Sequence, residues 1–315
     1  MRTGLTLALL AAAAAAGCSS ADQTTTPPAP VVTRSSAPPA VAALDDAGSG
    51  PGGANSAAVA QAVTGFLGVL GANQRAQVVR DLGDDRARRT WSDHPATQVP
   101  RPGIAFADLS GVQRAAALVV LAAALSDPGY AQVTAALPAD AHLAVYGTPS
   151  AAGPFAVQFG GTHLARNLTY RGDQVSMTPS LTGNDQSEAR LATDVLAALS
   201  EQERVAAQLS TGVSDDLVKG PGQDATAYPP PEGLLVSELG DAARAKVTAL
   251  IAAQTGDLDA TAAGRLLGGY QAEYDQTRVA WTDSYLRVDG PRVWIEVLGP
   301  VTLYRDKSND YGSAS

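Results

Sequence analysis

Cysteine, histidine and lysine are scarce in this 315-residue sequence. The one cysteine, Cys18, excludes an intramolecular disulfide, and its position near the N-terminus leaves the rest of the chain without a thiol nucleophile. The three histidines, His94, His142 and His163, never fall at HxH or HExxH spacing. A local two-histidine metal clip is therefore excluded, although ligands distant in sequence can still converge.

Basic patches and the common enzyme motifs are also missing. Three lysines against nineteen arginines, at a net charge of -9, provide no basic footprint for nucleic acid. The sequence contains no GxxxxGK[ST], no GxGxxG after a predicted strand and no GxSxG, so neither a nucleotide-binding loop nor a serine-hydrolase elbow is predicted. No repeat with a period of 20–50 residues is visible.

The N-terminal segment predicts export and lipidation. Arg2 precedes an apolar run from Leu5 to Ala16, which is too short to span a bilayer but suits a signal-peptide core. The run ends in Ala15-Ala16-Gly17-Cys18, which resembles a bacterial lipobox with alanine in place of the usual leucine. The resemblance implies cleavage of a lipoprotein signal peptide, residues 1–17, acylation of Cys18 with chains such as palmitate, and anchoring on the extracytoplasmic face of the cell membrane. The alternative is an ordinary secretory signal with an incidental cysteine.

Composition divides the rest of the chain into a tether and one domain. Residues 18–55 are mainly Ala, Pro, Ser, Thr and Gly, and they bury too little apolar surface to offset the entropy of ordering. They are predicted to be a disordered spacer between the membrane and the domain. Residues 56–315 are numerous enough for a single domain with its own core.

A period of 3.6 residues predicts several helices. Ala57 to Leu70, Gly111 to Leu125 and Val236 to Gln254 carry apolar residues at this spacing. The segment from Gly111 to Leu125 is apolar on nearly all sides, so it is predicted to be central and buried. The charged run from Asp81 to Trp91 is predicted to be a solvated helix face with ion pairs.

A period of two predicts strands in two parts of the chain. Phe155 to Phe159, Asn167 to Tyr170 and Arg292 to Leu298 are examples, and Arg171-Gly172-Asp173 predicts a tight hairpin. Helices and strands follow one another in blocks rather than as βαβ units. The predicted fold is therefore α+β, a single domain with a mainly antiparallel sheet packed against several helices.

Two groups of polar residues form the candidate site. The candidate catalytic residues are His163, Glu296, Arg305 and Asp306, and the candidate binding residues are Arg166, Asn167 and Asp310. If the strands that carry both groups share one sheet, the groups can meet across it. A histidine paired with a carboxylate is then a candidate general base, and arginine a candidate for holding an anionic or carbonyl group.

A second interpretation of the same residues is structural. Arginine and aspartate near a chain end often form salt bridges that fasten the tail to its domain. The connection from Ser214 to Pro231, rich in Gly, Pro and Asp, is long enough to cover a cleft, but it can equally be a plain surface loop. Both interpretations stay open at the level of sequence.

Short motifs in a fixed order give the chain a resemblance to a known family. They are Arg88 to Trp91 with Pro95, Arg101-Pro102-Gly103, Leu125-Ser126 with Gly129-Tyr130, Gly161 to Asn167, Thr178-Pro179 with Gly183, Trp281, Tyr285 to Pro291, Ile295-Glu296, Arg305-Asp306 and Asn309 to Gly312. From about residue 57 to residue 312 the chain resembles the bacterial and fungal family catalogued as domain of unknown function 3500. The resemblance carries no established activity with it.

The resemblance also points to residues that this chain lacks. Where relatives tend to have a second histidine beside His163 and an HxH motif before Arg305-Asp306, this chain has Thr162, Gly299 and Val301. A histidine-rich site of that kind suits zinc, copper or iron. The cofactor of this chain is unknown, no residue is assigned as a metal ligand, and a tightly bound transition metal is not expected.

These observations combine into one expectation and one alternative. We expect a lipid-anchored cell-envelope protein that binds a small ligand or an envelope partner in a cleft near His163, Glu296 and Arg305. The alternative is an extracytoplasmic hydrolase or redox enzyme, metal-dependent in relatives, whose metal site has degenerated here. The expected partners are the membrane, through Cys18, and a small molecule or envelope protein, but not nucleic acid.

Overall fold

A computed structural model describes residues 52–213 and 216–312 of the protein. The predicted signal segment 1–17, the lipidation site Cys18 and the tether as far as residue 51 lie outside the described residues. Among the helices of the described part, none is long and apolar enough to cross a membrane.

The N-terminal edge of the domain lies slightly earlier than composition predicts. Residues 52–55, assigned to the tether from their composition, contact the domain. The Ala54 amide donates to the Asp173 carbonyl at 2.8 Å, and Asn55 Nδ2 donates to the Ala123 carbonyl at 2.7 Å. Hydrogen bonds of this kind can order a segment that has little apolar surface to bury beyond Ala54, so composition alone does not reveal the boundary.

The described residues contain nine α-helices, most of which begin at a capping residue. They are α1 (Ser56–Gly68), α2 (Ala72–Val78), α3 (Asp85–Arg88), α4 (Gly111–Ala124), α5 (Asp127–Ala135), α6 (Gln186–Ala198), α7 (Glu201–Ala206), α8 (Asp241–Thr255) and α9 (Ala260–Gln271). Ser110 and Ser126 accept hydrogen bonds from the amides of Gln113 and Gly129, which fixes the starts of α4 and α5.

Twelve strands in the described residues form one sheet. They are β1 (Val79–Arg80), β2 (Ile104–Ala105), β3 (His142–Gly147), β4 (Phe155–Gly161), β5 (Leu164–Arg171), β6 (Gln174–Ser176), β7 (Ser180–Thr182), β8 (Leu234–Leu235), β9 (Arg278–Thr282), β10 (Tyr285–Asp289), β11 (Val293–Leu298) and β12 (Val301–Asp306). The main order is β1-β3-β4-β5-β7-β12-β11-β10-β9-β8, with β2 on β3 and β6 on β5. Among the named strands, β1 with β3 is the parallel pair. The predicted α+β fold with a mainly antiparallel sheet is confirmed.

The longer helices pack on one face of the sheet, which we call the helix face. The main hydrophobic core lies between these helices and the sheet, and it includes Val63 of α1, Val120 of α4, Leu250 of α8, Val157 of β4 and Val288 of β10. Every second residue of a strand points to this face, so the alternating apolar pattern of the strands supplies the core.

The prediction for α4 is wrong in one respect. The helix lies at the surface and buries only one side, through residues such as Ala117, Val120 and Leu121. Val112 and Val119 are 71% and 57% exposed. The helix looks apolar all round because its solvent-facing side is made of alanine and valine rather than charged residues.

The opposite face of the sheet, the outer face, is covered by irregular chain instead of long helices. The covering parts are the first cover segment (residues 81–103), the second cover segment (residues 216–232) and the C-terminal tail (residues 307–312). Trp91, Leu217 and Tyr311 of these parts pack on Leu181 and Leu303 of the sheet. Polar side chains on the outer face are consequently buried, and they form the layer described below.

The two halves of the domain repeat one order of elements, about 130 residues apart. In that order α1, α2, α4 and α5 correspond to α6, α7, α8 and α9, and β2, β3, β4, β5 and β7 correspond to β8, β9, β10, β11 and β12. Corresponding strands lie at equal distances from the β7–β12 pair in the sheet. The halves are therefore related by an approximate two-fold axis between β7 and β12. A period this long exceeds the 20–50 residues of common sequence repeats.

A close backbone approach recurs in both halves. Gly103 has φ 90°, and a Cβ atom on it would lie 2.1 Å from the Leu143 carbonyl oxygen. Gly233 has φ 99°, and a Cβ atom there would lie 2.2 Å from the Val279 carbonyl oxygen. Only glycine fits such a position. Gly103 and Gly233 are therefore corresponding residues of the two halves, 130 positions apart in the sequence.

Candidate functional site

The seven site residues predicted from the sequence occupy three different places. Asn167, Glu296, Arg305 and Asp310 belong to the outer face or its cover, Arg166 and Asp306 point to the helix face, and His163 lies in a hairpin loop. Strand alternation explains the division, because consecutive residues of β12 such as Arg305 and Asp306 point to opposite faces. The predicted single cluster is therefore corrected to a smaller group on the outer face.

His163 lies in the two-residue loop between β4 and β5. Its φ is 61°, a left-handed conformation that few non-glycine residues adopt. The His163 amide donates to the Asp93 carbonyl at 2.9 Å, and its carbonyl accepts from the Gly183 amide at 2.7 Å. The side chain is exposed. His163 thus connects two neighbouring segments through its backbone.

His163 and Glu296 are too far apart to form an acid–base pair. His163 precedes β5, Glu296 lies in β11, and β7 and β12 run between these two strands. Three steps of about 4.8 Å between neighbouring strands separate them by roughly 14 Å. Proton transfer needs hydrogen-bond reach, so the pairing suggested by the sequence is not formed.

Glu296 is fully buried on the outer face, and its carboxylate accepts four hydrogen bonds. Oε2 accepts from the Val218 amide at 2.6 Å and from the Tyr285 hydroxyl at 3.1 Å. Oε1 accepts from the Lys219 amide and from Trp294 Nε1, both at 2.8 Å. Burial raises the pKa of Glu296, while the four donors favour its ionised form.

Arg305 is the centre of the charged group on the outer face and is 2% exposed. Its Nη1 lies 2.9 Å from both Asp224 Oδ1 and Asp310 Oδ2, and its Nε donates to the Lys219 carbonyl at 2.8 Å. Burial alone would lower the pKa of Arg305, but Asp310 and Asp224 raise it above the ordinary value. The second terminal nitrogen, Nη2, is buried without a hydrogen-bond partner in the described part of the chain.

Arg166 and Asp306 have structural partners on the helix face. Arg166 Nε donates to Asp257 Oδ2 at 2.9 Å, in the connection between α8 and α9. The Tyr270 hydroxyl of α9 donates to Asp306 Oδ2 at 2.7 Å. Both predicted site residues therefore fasten helices to the sheet and face away from the outer layer.

Asn167 belongs to a chain of side-chain amides on the first half of the outer face. Gln158 Nε2 donates to Asn167 Oδ1 at 2.6 Å and to the Arg88 carbonyl at 2.8 Å. Asn167 Nδ2 donates to the Pro179 carbonyl at 2.6 Å, and the Tyr146 hydroxyl donates to Gln158 Oε1 at 2.8 Å. The network satisfies both amides and fixes the floor beneath the first cover segment.

Sequence reasoning missed Arg88 and Trp91 as parts of the outer layer. Arg88 is 6% exposed, and its Nη2 donates to Thr169 Oγ1 at 2.9 Å and to the Tyr311 carbonyl. Trp91 Nε1 donates to the Tyr311 hydroxyl at 2.6 Å, and the Arg305 guanidinium carbon lies 5.5 Å from the Trp91 ring centroid. The predicted solvated face is therefore wrong here. A tryptophan inside a charged run was the available signal of burial.

Lys219 is a second residue that sequence reasoning missed. It is 1% exposed, and its Nζ donates to the carbonyls of Gln223 and Thr226 at 2.7 and 2.6 Å. The same nitrogen lies 4.5 Å from the Tyr228 ring centroid. Burial, followed by Arg305, lowers the pKa of Lys219 to about 8. Its ammonium group holds the second cover segment in a compact turn.

Two small cavities lie between the first cover segment and the outer face. The first has about 170 Å³ of empty space, part of it open to solvent, and its lining includes Arg88, Tyr146, Gln158, Asn167, Thr169 and Tyr311. The second has about 230 Å³, also partly open to solvent, and its lining includes Trp91, Arg101, His142, Gln158, Phe159 and Leu164. Gln158 lines both cavities, so the two cavities are adjacent on the outer face of the sheet. Their walls combine arginine, amide and aromatic side chains, which suits a small polar molecule.

A family model described as "Protein of unknown function (DUF3500)" matches residues 52–313. The chain belongs to this family. The match covers the whole described domain, so the resemblance inferred from the short motifs is confirmed. Neither the curated proteins nor the solved structures include a match to the chain.

In this member of the DUF3500 family, the expected histidines are missing from two turns, at Thr162 and at residues 299–301. Both turns lie close to residues 183–185. Thr162, next to His163, donates through its hydroxyl to Asp140 Oδ2 at 2.9 Å. The Gly183 amide contacts the carbonyl of His163, and the Asp185 amide contacts the carbonyl of Pro300. The described residues include no group of three or more His, Cys, Asp or Glu side chains placed to hold a metal ion.

Proposed function

We propose that this DUF3500 protein binds a small organic carboxylate in the cavities beneath the first cover segment. The observation that carries the proposal is the buried Arg88 in the wall of the first cavity. Within the described residues, its Nη2 is the guanidinium nitrogen that donates hydrogen bonds. Nε and Nη1 are therefore available to a ligand, each as a separate charge-assisted donor to one oxygen, because their N–H groups point to different edges of the guanidinium plane.

The surroundings of Arg88 favour an anion of modest size. Arg88 and Arg89 both lie near the Tyr311 ring, with guanidinium carbons 5.8 and 5.2 Å from its centroid. The nearby carboxylate of Asp224 is already occupied by Arg305 and the Tyr311 hydroxyl. The closed space in each cavity is about 10 Å³, which is room for about one water molecule, so neither cavity holds a ligand without movement of its walls. A longer ligand requires Gln158, which lines both cavities, to move.

Thermal shifts with a panel of small carboxylates and their uncharged amides test this proposal. We expect at least one carboxylate, but not its amide, to raise the melting temperature of the purified protein in a saturable manner. Arg88→Gln is expected to abolish that rise. Arg86→Gln is the matched control, because Arg86 lies on the same helix α3 and is exposed.

Two outcomes would contradict carboxylate binding under the first cover segment. One is a panel in which no carboxylate stabilises the parent protein more than its amide does. The other is an equal rise in the parent, Arg88→Gln and Arg86→Gln, which would indicate a general ionic effect rather than a bound ligand.

We also propose that the protein acts at the cell envelope, anchored through a lipid on Cys18. The support is the sequence alone, in which the sole cysteine follows an apolar run in a lipobox-like context. Membrane fractionation of cells that express the parent chain or Cys18→Ser tests it. The parent is expected in the membrane fraction and the variant in the soluble fraction, whereas identical distribution of both would refute the anchor.

A further inference from the structure

Glu296 is bound as a free carboxylate ion would be bound in an anion site. All four of its contacts come from donors, two on each oxygen, at 2.6 to 3.1 Å. A protonated carboxyl group would need an acceptor beside one oxygen, and among the four partners only the Tyr285 hydroxyl, at the longest distance of 3.1 Å, can accept. The arrangement therefore fits the ionised form and saturates it.

The donors come from separate parts of the fold. The amides of Val218 and Lys219 are consecutive and point at one carboxylate, as in the backbone nests that bind anions. Trp294 lies two residues before Glu296 in β11, and Tyr285 lies in β10. The second cover segment is thus attached to the sheet through a carboxylate that bridges the two.

The internal repeat shows that this position is used differently in the two halves. Glu296 pairs in register with Arg287, as Asn167 pairs with Gln158. In the first half Asn167 stands at the position of Glu296 and donates to the Pro179 carbonyl. Its register partner Gln158 makes the contact to the cover by donating from Nε2 to the Arg88 carbonyl, so there the sheet donates and the cover accepts. In the second half, the cover donates and the sheet accepts. A carboxylate in one half thus replaces an amide in the other.

We infer that the four donors around Glu296 form a carboxylate-binding site, which holds this side chain as an internal ligand and which a free acetate or formate ion can occupy once the side chain is removed. The inference does not depend on a ligand in the cavities beside Arg88. It assigns Glu296 the role of fastening the second cover segment over the buried charges of the outer face.

Rescue of Glu296→Ala by acetate tests the inference. The substitution removes a CH₂–COO⁻ fragment, which acetate matches in size and charge. Acetate is expected to raise the melting temperature of Glu296→Ala saturably by several degrees, while acetamide and chloride at equal concentration do not. The parent and Glu238→Ala, which alters an exposed glutamate, are expected to show no such acetate-specific rise.

Amide exchange in Glu296→Gln provides a second, independent readout. The glutamine has nearly the same shape but replaces one oxygen by an NH₂ group, so one of the two amides, Val218 or Lys219, loses its acceptor and is expected to exchange at least about tenfold faster than in the parent. A folded Glu296→Ala without carboxylate-specific rescue would overturn the inference. If Glu296→Ala fails to fold with or without acetate, exchange at the parental rate in Glu296→Gln would overturn it instead.

Discussion

Arg305 and Asp306 are consecutive residues of β12, and each is fixed by partners on a different face of the sheet. Arg305 contacts Asp224 and Asp310 at 2.9 Å on the outer face. Asp306 accepts a hydrogen bond from Tyr270 at 2.7 Å on the helix face. At the scale of the residue, the charged C-terminal region is therefore two networks, and both are held by buried partners.

Arg305→Leu is expected to lower the free energy of unfolding by about 3–5 kcal/mol, because it leaves two carboxylates without their buried cation. Chemical denaturation with constant m-value measures the loss. Lys246→Leu is the control, since the Lys246–Asp194 pair is exposed and contributes less than about 1 kcal/mol. Similar losses in the two variants would show that the Arg305 network does not stabilise the fold.

Lys219 is expected to make stability depend on pH in the alkaline range. Its pKa is about 8 in the folded protein and 10.5 when unperturbed. Below pH 8 the amine is charged in both states, whereas between these values the folded state loses a proton that the unfolded state keeps. Stability should therefore rise with pH over this window, by about 1–2 kcal/mol after allowance for solvent screening.

Comparison with Lys219→Met isolates this effect in denaturation curves measured from pH 7 to about 10.5. The variant lacks the titrating group, so its stability should not show the additional rise. A parent protein whose stability falls relative to Lys219→Met across the window would contradict a lowered pKa.

The residues of the site could be predicted from the sequence only in part. Dense charge near the chain end points to Glu296 and Arg305, which the structure connects through Lys219. Assigning Arg166 and Asp306 to the other face required the register of the strands. Arg88 could not be recognised, because its burial depends on contacts with Thr169 and Tyr311, which are distant in sequence.

At the scale of the element, periodicity predicts a strand or helix well when polar and apolar residues separate onto its two sides. β3 was missed because its two faces are alike in composition: Leu143 and Val145 join the main core, and Ala144 and Tyr146 pack under the first cover segment. A strand without polar residues on one face has no alternating pattern. The alanine-rich helix α4 gives the opposite error. It is predicted to be buried on all sides but lies at the surface, because its exposed side is as apolar as its buried side.

Adjacent valines of α4 test its placement at the surface. Val119 is 57% exposed and Val120 is fully buried. Val119→Lys is expected to change the free energy of unfolding by no more than about 0.5 kcal/mol. Val120→Lys should cost about 3 kcal/mol or more, because it places an unpaired charge in the core. Comparable losses from both substitutions, measured by denaturation, would contradict the surface position.

At the scale of the whole molecule, the domain is built from two similar halves around the β7–β12 pair. Each half buries its helices on one face and covers the other face with a segment of irregular chain. The halves differ in what lies under that cover: cavities lined by Arg88 and Gln158 in the first, and the bound carboxylate of Glu296 in the second. This difference is why we assign ligand binding to the first half.

A crystal structure of the protein grown with the most stabilising carboxylate of the thermal-shift panel tests the proposed ligand site most directly. The predicted result is density for that carboxylate within hydrogen-bond distance of Nε or of Nη1 of Arg88, in the cavity bordered by Gln158 and Tyr311. Density for water alone in both cavities at a saturating concentration, or the carboxylate bound elsewhere on the molecule, would contradict the proposal.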